Sequence, residues 1–345
     1  MLEISETPSG ILRKDWSAEV GDFAIAGGWA LRGNLLIVCD AAGGVYGFNG
    51  KSGETLWSHP DVHEGGVLEL AIHPEGASFA TSGQDGRVLV WSSAGEISHA
   101  IDIGKDWVDH LAWSPSGQSL ACACSRQVLV FDGEGAEAWR SEDHPSTVSA
   151  VVWASADELA TACYGRVSFF MLPAGELREK LEWKGSLVSL ALSPDGDIVA
   201  CGSQDNTVHF WRRSTGRDSM MSGYPGKPSA LAFDATGGLL ATGGAPMVTV
   251  WNFKEDGPEG TEPGVLELHK KMITSLSFSN HGSLLASGAR DRAAIVWSVR
   301  DDGQGVPVGA ARVTGVVSSV HWRPDARSLA ALDARGTVTV WRVDR

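Results

Sequence analysis

A short apolar or alternating run that closes on an aromatic residue recurs along the whole chain. It reads Val45-Tyr46-Gly47-Phe48, Val88-Leu89-Val90-Trp91, Val128-Leu129-Val130-Phe131, Val167-Ser168-Phe169-Phe170, Val208-His209-Phe210-Trp211, Val248-Thr249-Val250-Trp251, Ala294-Ile295-Val296-Trp297 and Val338-Thr339-Val340-Trp341. The closing aromatics stand 39 to 46 residues apart, the length of one four-stranded sheet of a radial repeat fold. A second landmark, an apolar residue just before a turn, lies 17 to 19 residues ahead of each aromatic: Trp29, Ile72, Trp113, Trp153, Leu192, Phe233, Phe278 and Trp322. Turns such as Ser114-Pro115-Ser116-Gly117 combine a Pro that presets φ with a Gly that accepts positive φ, as a hairpin needs.

Each unit therefore predicts four strands. Strand a (Val188 to Leu192) leads to strand b (Ile198 to Cys201), and a polar turn at Ser203-Gln204-Asp205-Asn206 leads to strand c (Thr207 to Trp211). Strand d is a weaker alternating segment such as Glu54 to Trp57, suited to a sheet edge. The eighth unit has no strand d of its own, whereas Ile11 to Trp16 has strand d character and no unit of its own. An N-terminal strand that completes the last sheet removes both deficits and an open edge. The pattern thus predicts an all-β, eight-bladed β-propeller with four-stranded antiparallel blades and a ring closed by the N-terminal strand. The alternative is seven blades plus an extra unit. Residues 1-345 read as a single propeller domain: 10-17 the closing strand, 18-62 blade 1, 63-104 blade 2, 105-145 blade 3, 146-184 blade 4, 185-225 blade 5, 226-270 blade 6, 271-313 blade 7 and 314-345 blade 8.

The fourteen Trp residues, against three Tyr, fit this frame. Five close strand c, four end strand a, and Trp16, Trp57, Trp139 and Trp183 fall in or beside strand d, where large rings wedge between twisted sheets. Trp107 alone has no core position. The net charge of -14 with no basic run opposes nucleic-acid binding. Cys39, Cys122, Cys124, Cys163 and Cys201 are odd in number with no Cys-x-x-Cys pair, which reads as buried thiols and not a disulfide framework or zinc ribbon. Neither a signal-like start nor an eighteen-residue apolar run occurs, so a cytoplasmic protein with no membrane contact is expected.

From about residue 10 to 345 the pattern resembles the WD40-repeat family. That resemblance implies a hydrogen-bonded tetrad in regular blades: His before strand a, Ser or Thr on strand b, Asp in the b–c turn and Trp on strand c. Unit two offers His63, Ser82, Asp85 and Trp91, and unit seven offers His269, Ser287, Asp291 and Trp297. Unit five keeps Asp205 and Trp211 with Lys184 in place of His, and unit four keeps His144 without the Asp. No unit carries a Gly-His or Trp-Asp dipeptide. The first unit, Val45 to Trp57, also resembles a quinoprotein-type propeller repeat, a likeness confined to one blade.

Chemistry is sparse. The His–Asp pairs beside a Ser resemble a hydrolase triad in composition, but their repetition in register reads as a structural network, since a nucleophile is needed once. His59-Pro60-Asp61-Val62-His63 has two metal-ligand types, yet Pro60 forbids the helix that would align them, and His63 is a tetrad candidate. No phosphate loop is present. No catalytic residue, metal site or cofactor is therefore assigned, and the chain reads as a non-catalytic scaffold for protein–protein contacts. In related propellers the residues before strand a and before the turn Asp project onto one face. Here those are Trp107, Thr147, Leu187, Lys227 and Met272, with Gln84, Gln204 and Arg290. Two acidic, Gly/Pro-rich c–d connections, 252-263 and 300-305, read as solvated loops with docking of a basic partner as the second account. The competing function is a small-molecule or metal site in the central channel, near Asp109 and His110.

Overall fold

The structure, a computed structural model, describes residues 4–5, 7–254 and 257–344. Glu255 and Asp256 of the first acidic connection lie outside the described residues. Packing divides the chain into two compact units, Val20–Leu190 and a second made of Met1–Glu19 with Ala191–Arg345.

The fold is an all-β β-propeller of four-stranded antiparallel blades. In the Val20–Leu190 unit, Ala24–Ala30, Leu35–Asp40, Val45–Asn49 and Thr55–His59 form the first sheet. The second holds Val67–Ile72, Ser78–Gly83, Arg87–Ser92 and Ile97–Asp102, and the third Val108–Trp113, Ser119–Cys124, Gln127–Asp132 and Glu137–Arg140. The other unit contains the sheet of Ala230–Phe233, Leu239–Gly243, Met247–Asn252 and Gly264–Glu267. It also contains Ile273–Phe278, Leu284–Ala289, Ala293–Val299 and Gly305–Arg312, extended by the two residues Ser9–Gly10. Its last sheet joins Val317–Trp322, Ser328–Asp333 and Thr337–Val343 to Leu12–Glu19, with Leu12 opposite Val343 and Glu19 opposite Thr337.

Among the described residues the strands make seven sheets, which corrects the expectation of eight blades. The sequence units at 146-184 and 185-225 do not separate. Ala150–Trp153, Glu158–Met171 and Glu176–Leu192 pair in succession, as do Ile198–Ser203, Val208–Arg212 and Arg217–Met221, and Glu176–Leu192 runs as one strand from the first sequence unit into the second. The reason is local. Glu158–Met171 folds back at Tyr164 and Gly165 (φ +84°) without leaving the ladder, so that Thr161 Oγ1 reaches the Ser168 carbonyl at 3.5 Å. Glu176–Leu192 then stays extended through Trp183 to Ser186, where other units have a loop between strands d and a.

Burial follows strand position. Strands b such as Leu35–Asp40 and Ile198–Ser203 are buried at every residue, because both faces of the inner strands are covered by apolar neighbours. Edge strands alternate, as in Ile97–Asp102. Trp57, Phe79 and Trp91 stack with centroids 5.8 and 5.6 Å apart and planes within 3°, one of the places where tryptophans fill the space between strands. Gly47 makes room for this stack: a Cβ there would sit 2.3 Å from the Trp57 ring. No helix among the described residues is long and apolar enough to cross a membrane.

Cys39, Cys122, Cys163 and Cys201 are buried and all five cysteines are free. Burial pushes every one of these thiols up, and Cys124, half-buried, is raised further by the Asp106 and Asp109 carboxylates. A disulfide-exchange reagent at pH 7.5 should therefore modify at most Cys124 in the folded protein and all five in denaturant. Rapid modification of two or more native thiols would contradict this packing.

Candidate functional site

In the second sequence unit, His63 Nδ1 donates to Asp85 Oδ1 at 3.0 Å, and its Nε2 lies 2.9 Å from Thr81 Oγ1. Trp91 Nε1 donates to the same hydroxyl at 2.9 Å. Only one proton order satisfies every atom: indole N–H to hydroxyl, hydroxyl to imidazole Nε2, imidazole Nδ1–H to carboxylate. That order needs a neutral imidazole, and burial does lower the His63 pKa, against the pull of Asp85. The hydroxyl assigned from sequence, Ser82, is the wrong one. Successive strand residues face opposite sides, so Thr81 faces the histidine, while Ser82 Oγ is buried with no hydrogen-bond partner.

The seventh sequence unit repeats the geometry. His269 Nδ1 lies 3.1 Å from Asp291 Oδ1, and His269 Nε2 and Trp297 Nε1 both lie 2.8 Å from Ser287 Oγ. Burial raises the Asp291 pKa, but hydrogen bonds from His269 and from the Lys270 and Ala293 amides outweigh it and hold the carboxyl below its usual range. Thr81 and Ser287 have no exposed surface, so neither hydroxyl can meet a substrate.

Related networks hold other units, and of their residues the sequence pattern singles out His144 but not Tyr224, Asp40 or Asp333. Tyr224 stands where a histidine would: its hydroxyl lies 2.8 Å from Thr242 Oγ1 and accepts from Trp251 Nε1 at 2.9 Å. The signal was spacing, since Tyr224 precedes Thr242 by 18 residues, as His63 precedes Thr81 and His269 precedes Ser287. His144 Nε2 pairs with Thr161 Oγ1 at 2.9 Å, and its Nδ1 donates to the Arg126 carbonyl in place of an aspartate. Asp40 and Asp333 replace the tetrad in the first and last units. Asp40 Oδ1 accepts from the Ala42 and Gly44 amides, and Asp333 Oδ1 from those of Arg335 and Thr337.

The two histidines of the 59-63 segment point to different partners, His59 Nε2 to the Gly95 carbonyl at 2.8 Å and His63 to Asp85 and Thr81. His110 Nδ1 is 3.8 Å from Glu69 Oε2, and burial raises the Asp109 pKa. No group of three His, Cys, Asp or Glu side chains converges among the described residues.

The d–a and b–c connections of a unit meet at one end of its sheet. The Gln84 amide donates to Gly66 O at 3.1 Å, that of Arg290 to Met272 O at 2.9 Å, and that of Ala334 to Val316 O at 2.8 Å. Met272 and Arg290 are thus brought together. Trp107 is 53% exposed, a large apolar surface for a ring with no core role. Thr147, Lys227 and Gln204 are exposed and Gln84 is half-buried. Leu187 is a correction: at 1% exposure it belongs to the core. The cause is a register slip of one residue. Leu187 stands five residues before Leu192, as buried Val108 stands five before Trp113, so the surface position of that unit is Ser186. The two acidic connections also pack together, through Lys254 Nζ and Asp301 Oδ1 at 3.0 Å and Asn252 Nδ2 and the Asp301 carbonyl at 3.1 Å.

One cleft of about 340 Å³ is lined by Trp139, His144, Arg166, Phe170 and Lys180, and a second of about 380 Å³ by Lys270, Lys271, Arg290, Asp291, Arg292 and Arg312.

The family described as "WD domain, G-beta repeat" matches residues 53–92, 176–212 and 260–298. Telomerase protein component 1 of Mus musculus is 24% identical over 297 residues, which are 81% of this chain and 11% of that protein, so the chain spans about a tenth of that relative. The guanine nucleotide-binding protein subunit beta of Oryza sativa subsp. japonica is 25% identical over 268 residues, covering 68% of this chain and 69% of the relative. Among solved structures, the computationally designed Ika8 protein superposes with a TM-score of 0.81 at 22% identity, covering 94% of this chain and 98% of the other; the likeness is one of fold.

Proposed function

Because the chain is a WD40-repeat protein with a β-propeller fold, we propose that it is a non-catalytic scaffold that binds other proteins through the loops between strands d and a and between strands b and c. The observation that carries this is Trp107, in the loop that leads directly into strand Val108–Trp113, with more than half its surface in solvent. Trp is among the residue types that dominate binding energy at interface centres. The adjoining Val108, fully buried at the start of its strand, anchors the loop and lowers the ordering cost of presenting the ring. A beta subunit of a guanine nucleotide-binding protein, an assembly component by name, supports the reading as a relative. Five free cysteines support the cytoplasm as the place of work.

The test is affinity capture with wild-type and Trp107→Ala protein, each checked for an unchanged melting temperature. Loss of an interface-centre Trp removes about 2 kcal/mol, roughly thirtyfold in affinity, so at least one stoichiometric partner should disappear. Undiminished capture of every partner by the variant would remove this surface from consideration.

A further inference from the structure

In a chain of net charge -14, one pocket collects five cations: Lys270, Lys271, Arg290, Arg292 and Arg312 line about 380 Å³. Several arginines and lysines elsewhere in the same compact unit are answered by acids, as in Arg13 with Asp344, Arg212 with Asp197 and Lys254 with Asp301. Among the described residues none of the five has a carboxylate within ion-pair distance. The one acid in the wall, Asp291, is already spent: it accepts from His269 Nδ1 at 3.1 Å and from the Lys270 and Ala293 amides at 2.7 and 3.2 Å. The sole described contact of an Arg312 side-chain nitrogen is the Ile4 carbonyl at 3.4 Å, a neutral acceptor.

Backbone conformation supplies the second observation. Arg292 has φ +65°, in the left-handed region. In the b–c turns of other units the positive-φ residues are Gly43, Gly86, Gly165, Asn206 and Gly336, and in the third unit Ser125 (φ +54°). Glycine, or asparagine, is what that turn accepts without strain. An arginine there keeps a strained backbone and adds a like charge to four others, both of which oppose folding. Strain and unanswered charge at one place point to a ligand that repays them.

We propose that this pocket receives the acidic side chains of an extended segment of a partner protein. The inference deepens the scaffold reading by naming the partner's chemistry, and it rests on that reading. Guanidinium groups bind carboxylates through paired hydrogen bonds. Half-buried Met272 and Val316 beside them offer apolar contact for the same segment. A nucleic-acid backbone, charged along its whole length, is repelled by the rest of the acidic chain, whereas a short acidic segment meets only the pocket.

The experiment measures fluorescence anisotropy of a labelled twelve-residue peptide of Glu and Ser with one Leu, with a Lys-for-Glu peptide, an oligothymidylate and inorganic phosphate as comparison probes. Wild-type protein at low salt should bind the acidic peptide in preference to all three. The double variant Lys271→Glu, Arg290→Glu should weaken that binding at least about tenfold. Arg292→Gly should weaken it while raising the melting temperature by about 2 °C, because strain leaves with the side chain; this variant keeps the test valid if the double variant folds poorly. Equal binding by wild type and Arg292→Gly, or preference for the oligothymidylate or the Lys peptide, would overturn the proposal. Trp107→Ala should leave acidic-peptide binding unchanged. Partner capture that depends on Trp107 without acidic-peptide binding sinks this inference alone, and acidic-peptide binding without Trp107-dependent capture sinks the Trp107 surface alone.

Discussion

A Trp297→Ala protein should unfold in urea with about 4 kcal/mol less stability than wild type, within the range for truncating a buried Trp. Trp297 is 1% exposed in a cluster with Leu285, Ile295, Val299 and Ile273, so its removal leaves a cavity that rigid strands cannot close. Trp297→Phe keeps a six-membered ring but loses the Nε1–H that Ser287 Oγ accepts at 2.8 Å and part of the indole volume, while Ser287 retains His269 as partner. Its cost should be about 2 kcal/mol, one hydrogen bond plus a small cavity. His269→Ala should be worse than Trp297→Phe, about 3 kcal/mol, because it strips a largely buried carboxylate of its charge-assisted partner. If Trp297→Phe proves as costly as Trp297→Ala, or His269→Ala is neutral, the serial network is not what holds this blade.

The second large effect is in pH. Burial lowers the pKa of His63 and His144, and takes His209 and His321 down to about 4. For His209 the Asp218 carboxylate at 3.1 Å pulls upward, but desolvation of a ring 1% exposed dominates. In the unfolded chain a histidine titrates near 6.5. Between that value and about 4 the unfolded state binds the proton and the folded state does not, so stability rises with pH there. The contribution is fully present above pH 6.5, declines as pH falls through the window and levels off below about 4. For His209 alone the whole interval amounts to about 3 kcal/mol. Denaturation midpoints measured from pH 7 to 4.5 should therefore fall steadily, and His209→Gln should flatten the slope by close to one proton. A midpoint independent of pH over that window would refute the neutral, buried histidines.

Much of this was legible in the residues. The spacing of Phe48, Trp91, Phe131 and their counterparts marked strands c, because a sheet-closing aromatic must fall at the same place in each repeat to meet its neighbour. His269, Ser287, Asp291 and Trp297 were readable together, since their offsets are set by one sheet's geometry. The errors came where one residue of register matters. Thr81 and Ser82 are chemically alike, and only the side each faces distinguishes them. Leu187 and Ser186 differ in the same way. Tyr224 was hidden because a phenol was not sought where an imidazole was expected.

Local pattern by itself determined the strands, their order within a unit and the aromatic core, because these depend on alternation and turn chemistry over a few residues. Tertiary structure alone decided that Glu176–Leu192 runs on as one strand where other units have a loop, because whether an extended chain breaks depends on what it pairs with. It alone also gathered Lys270, Lys271, Arg290, Arg292 and Arg312, which are scattered over more than forty positions, into one pocket within an acidic molecule. Charge falls off with distance in space, and distance along the chain does not report it.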